Sequence, residues 1–156
     1  MPLPHCTSPL RVMTLCLLPI LMCAPLTHAS VFAQESRVEN PTPAANDKMG
    51  SSLAAGASWL AAGAPRDTTW GTYTGEVAIF PWDTSTGWGT PFTITESTLG
   101  NFAYYGTSVA ANNDDDRLVV GCPGYAVTSS RVGAAWIYDI NPTAGSASFI
   151  TMLSPA

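Results

Sequence analysis

The sequence is poor in charged residues and rich in residues that break helices. Charged side chains account for only 11% of its 156 residues, whereas it holds 13 glycines and 13 prolines. Such a composition favours short strands joined by tight turns over helices. Beyond the first 33 residues, no long segment repeats its apolar residues at the 3.6-residue period of a helix. We therefore predict an all-β fold in one domain of ordinary size.

Histidine and cysteine become scarce once the N-terminal leader is considered. Arg11 precedes an apolar run over Val12–Leu26 and small residues follow it, which is the order of a secretory signal peptide. The run is about 15 residues long, shorter than the roughly 20 that a membrane-spanning helix needs. We predict that residues 1–33 are a signal peptide cleaved after Ala33, with cleavage after Ala29 or an uncleaved anchor as alternatives. The mature chain is then expected to be secreted, extracellular or periplasmic, without membrane attachment.

Cleavage removes both histidines and three of the four cysteines. Only Cys122 remains, so no disulfide can form within the mature chain. Without histidine, most hydrolase triads and histidine metal sites are excluded, and no spacing favours a pair of carboxylates for sugar hydrolysis. The mature charge of 5 − 11 = −6 argues against nucleic acid and anionic membranes as partners. We predict a protein that is not an enzyme and has no cofactor, with calcium as the one ion to consider.

The segment 34–48 separates the leader from the rest of the chain. It is polar and contains Pro41 and Pro43, and proline offers no N–H to a strand ladder. We predict a polar linker or a poorly ordered mature N-terminus there.

An internal repeat fills the remainder, from residue 49 to residue 156. Three blocks recur in the same order, the first at an offset of 56 residues and the next two at 58. They pair Gly50–Ala55 with Gly106–Ala111, Trp59–Pro65 with Arg117–Pro123, and Gly75–Phe80 with Gly133–Tyr138. A looser match joins Phe92–Thr95 to Phe149–Met152. The two units then cover about 49–104 and 105–156.

Each unit contains four short segments of strand composition separated by turn residues. In the second unit we place them near 106–111, 117–121, 133–139 and 147–152. Four antiparallel strands repeated head to tail are the plan of a β-propeller blade. Since propellers have about four to eight blades, two blades predict a partial propeller. It is a fragment of a longer reading frame, a piece that self-associates to complete a propeller, or an open pair with exposed edges.

The repeat resembles a known family through its glycines and prolines. The chain has Met49-Gly50 before Gly63-Ala64-Pro65, and Tyr105-Gly106 before Gly121-Cys122-Pro123. These motifs are similar to the FG-GAP repeat, which builds the β-propeller of integrin α chains. The chain departs from the pattern at Met49, where an aromatic residue is expected, and at Cys122, where alanine is. The resemblance implies an extracellular module for protein binding or adhesion, with loops at one face making the contacts.

The repeated residues also have expected physical roles. We expect Gly63 and Gly121 to adopt backbone angles closed to other residues. Pro65 and Pro123 are expected to end the strands that precede them. Cys122 is expected to be a small buried apolar residue.

The one acid cluster lies in the predicted turn between the first two strands of the second unit. Asn112, Asp114 and Asp116 alternate there, as calcium ligands do in some FG-GAP repeats. The loop lacks a glycine that would fold it around an ion, and Arg117 stands where another acid would help. A solvated hairpin turn is therefore the preferred interpretation, and a calcium site is the alternative.

Aromatic residues in or beside turns form the second candidate site. Trp70, Tyr73, Trp82 and Trp88 lie in the first unit and Tyr125 lies in the second. Exposed rings can stack on sugars or anchor a protein, and the alternative is that they pack between the units. Trp136, inside a predicted strand, is expected in the core.

These observations lead to one preferred function and two alternatives. The preferred function is a secreted, non-catalytic binding module for an extracellular protein. The alternatives are a lectin-like propeller that binds a glycan, and an accessory or N-terminal piece of a larger secreted protein.

Overall fold

A computed structural model describes residues 37–112, 116–127 and 130–155. These residues form eleven strands, and none of them lies in a helix. The predicted signal peptide falls outside the described residues. The all-β prediction is confirmed for the described part of the chain. The strands are β1 (Ser52–Ala55), β2 (Trp59–Ala64), β3 (Glu76–Asp83), β4 (Gly87–Trp88), β5 (Phe92–Ile94), β6 (Ser108–Asn112), β7 (Arg117–Cys122), β8 (Ala126–Val127), β9 (Ser130–Arg131), β10 (Ala134–Asn141) and β11 (Ser146–Leu153).

The first unit forms an open antiparallel sheet whose outer strand is broken in two. Strands β1, β2 and β3 follow one another as a meander, and both β4 and β5 pair with β3. Pro91 lies in the gap between β4 and β5, where it cannot donate to the ladder. This sheet therefore has five strands, not the four that the repeat predicts.

The second unit forms an open four-stranded sheet in the order β6, β7, β10 and β11, again fully antiparallel. Its strands lie within two residues of the four predicted segments. A small hairpin of β8 and β9 is inserted before β10. The second sheet therefore matches the repeat-based prediction in strand number and order.

The register of the fourth strand differs from the sequence match. Ile79 pairs with Phe92 in the first sheet, and the equivalent Ile137 pairs with Thr151 in the second. Phe92 therefore corresponds to Thr151 and not to Phe149. The ladder shifts register beside Ile137, where the last strand accommodates one extra residue, Ile150.

The main core lies between the two sheets. One buried cluster joins Trp59 and Ile79 of the first sheet to Leu118 and Trp136 of the second. Trp136 is 4% exposed, so its predicted core position is confirmed. Cys122 is buried in the same cluster as predicted, and burial raises the pKa of its thiol to about 11.

A second, smaller cluster lies on the opposite face of the first sheet. Ala62, Ala78 and Phe80 form it, and Val38 and Met49 pack against it. The segment predicted as a linker therefore contributes apolar contacts to the first sheet over its described residues.

The backbone angles predicted for the repeat glycines are wrong. Gly63 and Gly121 lie inside β2 and β7 and do not have left-handed φ angles. Gly63 is needed for space, because a Cβ there would lie well under 3.0 Å from the carbonyl oxygen of Gly106. Both strands end one residue before Pro65 or Pro123, as predicted.

Candidate functional site

The hairpin between β3 and β4 presents two tryptophans side by side. Trp82 and Trp88 are directly paired across the hairpin, and their rings meet edge to face at 4.8 Å between centroids. The turn is closed by Asp83, whose carboxylate accepts hydrogen bonds from the backbone N–H of Ser85 (2.8 Å) and Thr86 (2.9 Å). The side-chain and backbone hydrogen bonds from Ser85, followed by that from Thr86, lower the pKa of Asp83 to about 2. The tryptophan pair is therefore held on a well-bonded turn.

Trp82 lines two cavities of different character. One is an apolar groove of about 290 Å³ that Trp59, Leu60 and Trp88 also line. The other is a cavity of about 440 Å³ with hydroxyl and carboxylate groups from Ser58, Asp83, Ser85, Thr86 and Thr143. An aromatic ring beside polar groups is the arrangement that proteins use to bind sugar rings.

A second aromatic group, which we call the loop cluster, joins the predicted candidate Tyr73 to two residues that were not predicted. It consists of Tyr73, from the loop before β3, and Phe102 and Tyr104, from the loop before β6. Tyr73 stacks on Tyr104 at 6.1 Å and meets the edge of Phe102 at 5.8 Å. All three have left-handed φ angles, of 52°, 63° and 56°. Bulky residues rarely adopt this conformation, and each such residue costs about 1–3 kcal/mol.

Hydrogen bonds between the two loops hold the loop cluster in place. The backbone N–H of Phe102 donates to the carbonyl of Thr72 at 2.7 Å, and that of Tyr104 donates to the carbonyl of Tyr73 at 3.0 Å. The N–H of Thr72 in turn donates to the side chain of Asn101 at 2.9 Å. The strained angles are therefore imposed by a bonded framework.

Two arginines lie over rings of the loop cluster. The Arg66 guanidinium lies 5.5 Å from the centroid of Tyr73, and that of Arg131 lies 5.6 Å from Phe102. The ion pairs within the described ranges use Arg37 and Arg117 instead. Within those ranges, Arg66 and Arg131 have no carboxylate partner, so their guanidinium groups are available to a carboxylate ligand.

The structure brings two of the five predicted candidate aromatics together. Trp82 and Trp88 meet in the hairpin, whereas Trp70 is 55% exposed in the loop before β3. Trp82, in contrast, lies near the C-terminal end of β3. Tyr125 is half-buried and packs edge-on against Trp136 of the same unit at 5.3 Å.

The acid cluster has a structural role at one of its three residues. Asp116 accepts a hydrogen bond from the indole N–H of Trp59 at 3.0 Å, and its carbonyl accepts one from Ile140 at 2.8 Å. Asn112 ends β6 opposite Arg117, and Asp114 lies outside the described residues. Among the residues that the structure describes, no three acidic, histidine or cysteine side chains are placed to hold a metal ion. A calcium site stays a prediction.

Three carboxylates are buried in the first unit and in the N-terminal segment that precedes it. They are Asp47, Asp67 and Glu76, each no more than 3% exposed. Glu76 accepts a hydrogen bond from the Thr42 hydroxyl at 2.7 Å, which ties the segment to β3. Burial raises the pKa of Glu76 above its usual value, and the charges of Asp67 and Asp47 raise it further. The hydrogen bond from Thr42 opposes this shift but does not reverse it.

We predict that ionisation of Glu76 weakens folding as the pH rises. Because the pKa is higher in the folded state, the unfolded chain loses this proton first, and the free energy of unfolding falls from about pH 4.5 upward. Glu76→Gln keeps an oxygen for Thr42 but cannot ionise, so it should gain stability relative to wild type between pH 4 and pH 8. Urea unfolding across this range measures the difference.

Glu39→Gln is the matched control, since Glu39 is an exposed partner of Arg37. Its stability difference from wild type should stay nearly constant over the same range, because exposed ion pairs contribute about 0–1 kcal/mol. Parallel profiles for wild type and Glu76→Gln would show that Glu76 does not govern the dependence.

Comparisons with known proteins leave the chain without an established family. No protein-family model matches it, and no curated protein sequence is significantly similar to it. The resemblance to the FG-GAP repeat therefore stays a prediction made from the residues. Among the described residues, no helix is long and apolar enough to cross a membrane.

Proposed function

We propose that this chain is a secreted, non-catalytic module of β-propeller type that binds an extracellular protein through the loop cluster. The observation that carries the proposal is the left-handed backbone of Tyr73, Phe102 and Tyr104. Backbone strain of this kind is retained where a precise side-chain arrangement has a use. No packing role accounts for all three, because Phe102 remains 37% exposed.

The chemistry of the loop cluster favours an acidic partner. Tyrosine and arginine are enriched among the residues that dominate protein–protein binding energy. Arg66 and Arg131 are spread over ring faces, where they lose little side-chain freedom on binding. A protein segment that presents a carboxylate beside an apolar side chain fits both features.

The propeller assignment rests on the repeat and on the strand order. The second sheet is a four-stranded antiparallel meander, and the first repeats its three inner strands at equivalent positions. This arrangement supports two blades of an incomplete FG-GAP propeller. In such a module the loops before β3 and β6 would lie at the same end of neighbouring blades, which is where the loop cluster forms.

A second candidate function is glycan binding at the Trp82 hairpin. The specific observation is that Trp82 lines both an apolar groove and a polar cavity. A sugar ring could stack on the 40% exposed indole while its hydroxyls bond to the polar side. This site does not use the loop cluster.

Two arrays and two variants separate the candidates. We expect mature protein to bind a synthetic peptide array at members that pair Asp or Glu with an aromatic residue. Arg66→Gln/Arg131→Gln should reduce that signal at least about tenfold, because two charge-assisted contacts are lost, while Trp82→Ala leaves it intact. If the hairpin is the site, Trp82→Ala should reduce binding on a glycan array, and the double arginine variant should leave it intact. Peptide binding that survives the double arginine variant would overturn the loop-cluster proposal.

A further inference from the structure

The internal repeat lets the faces of the two sheets be compared position by position. Directly paired residues of an antiparallel sheet share a face. We name the A face of the first sheet by Ala54, Ala61, Val77, Ile79 and Ile94. Its B face, on the other side, carries Leu60, Ala62, Ala78 and Phe80.

The second sheet has the same two faces at repeat-equivalent positions. Its A face carries Ala110, Val119, Ala135, Ile137 and Leu153. Its B face carries Leu118, Val120, Trp136, Tyr138 and Ile140. The repeat thus gives each sheet one surface of each kind.

Within the chain, an A face packs on a B face. The A face of the first sheet and the B face of the second belong to one buried cluster. The other two faces take no part in this interface. The A face of the second sheet is open, with Val119 36% and Leu153 57% exposed. The B face of the first sheet is covered, but not by a sheet.

The cover is the N-terminal segment 37–49, which we call the strap. Val38 and Met49 of the strap pack on the apolar cluster of the B face. The Thr42 hydroxyl bonds to Glu76 at 2.7 Å, and the N–H of Arg66 bonds to the carbonyl of Asp47 at 3.2 Å. The strap therefore occupies the position that another sheet takes on the second unit.

We propose that the strap is a cap that blocks docking of a second copy of this chain. The occupant it excludes is the open A face of that copy, because an A face on a B face is the interface already built inside the chain. Release of the strap exposes a B face, and copies then associate head to tail. Such contacts are heterologous, so they extend into chains of copies or close into a ring. Terminal caps are a general requirement of stacked repeats.

Side-chain sizes on the two free faces are compatible with this docking. In the existing interface the small Ala61 of the A face and the large Trp136 of the B face belong to the same buried cluster. On the free faces the sizes are exchanged, with Val119 at the A position and Ala78 at the B position. The Arg117–Asp139 ion pair of 3.2 Å gives the open A face a polar rim, as stable interfaces have.

Val38→Ser in the otherwise complete mature chain tests the cap. In sedimentation equilibrium, the wild type should be a monomer, and the average mass of the variant should rise with protein concentration. The apparent dissociation constant for self-association of the variant should be at least about tenfold lower than that of wild type. Val119→Lys, added to Val38→Ser, should restore the monomer by placing a charge on the A face. Val132→Ser is the matched control, because Val132 is exposed and lies outside both faces.

A folded Val38→Ser protein that stays monomeric overturns the proposal, and so does association that Val119→Lys does not suppress. If Val38→Ser loses its β-sheet circular dichroism, Thr42→Val takes its place, since it removes the hydroxyl that bonds to Glu76 and to Asn40 but leaves Val38 and Met49 unchanged. None of these substitutions lies in the loop cluster. Peptide-array binding that persists while association fails would therefore reject the cap and leave the proposed function standing.

Discussion

Gly63→Ala is expected to destabilise the fold by about 3 kcal/mol or more, the upper range for overpacking a well-packed interior. The added methyl would collide with the backbone carbonyl of Gly106 and with the Ser52 hydroxyl. That hydroxyl donates to the same carbonyl at 2.8 Å, so the contact also holds the two units together. Since small domains are stable by about 5–15 kcal/mol, urea unfolding should show a large loss or no folded population.

Substitutions at two further glycines are the controls for Gly63→Ala. Gly100→Ala meets open space and an ordinary φ angle, so it should change stability by no more than about 1 kcal/mol. Gly121→Ala, at the repeat-equivalent position, meets the Ser108 hydroxyl, which can rotate away. It should cost less than Gly63→Ala. Equal costs at positions 63 and 121 would show that the close approach between the units is not the cause.

Local patterns were sufficient to predict the four strands of the second sheet, because alternation and turn residues act over a few neighbours. The strands of the second sheet follow the predicted segments, and β2 and β7 end before Pro65 and Pro123. The fourth-strand register was wrong, since the shift beside Ile137 depends on pairing across the sheet. The need for Gly63 was also misread, because Gly106 approaches it from the other unit.

The two candidate sites also differ in whether local sequence is enough to predict them. Trp82 and Trp88 are joined by a short hairpin, so their pairing follows from local sequence. The loop cluster joins Tyr73 to Phe102 and Tyr104 through backbone bonds between distant loops. Its left-handed angles contradict the preference of aromatic residues, so propensity argues against them. The available signal was the aromatic-rich run over Phe102–Tyr105, immediately before the second repeat.

The packing of one large side chain between the units leads to a second large expected effect. Trp59→Ala should reduce the free energy of unfolding by about 3–5 kcal/mol, the usual cost of truncating a buried tryptophan. Trp59 is 2% exposed within the main core, and its indole N–H donates to Asp116 at 3.0 Å. The substitution therefore removes both a core contact and a bond between the units. Thermal and urea unfolding should agree on the loss.

Trp70→Ala is the matched control for Trp59→Ala, because Trp70 is largely exposed and should cost no more than about 0.5 kcal/mol. Trp59→Phe separates the two contributions, since it keeps an aromatic ring but loses the donor. With Asp116→Ala it forms a double-mutant cycle, whose coupling should be about 0.5–3 kcal/mol. Zero coupling would mean that water replaces the indole as the hydrogen-bond donor to the half-buried Asp116 carboxylate with no loss of stability. The stability contributed by Trp59 would then come from packing alone, and the two units would be joined here by apolar contact.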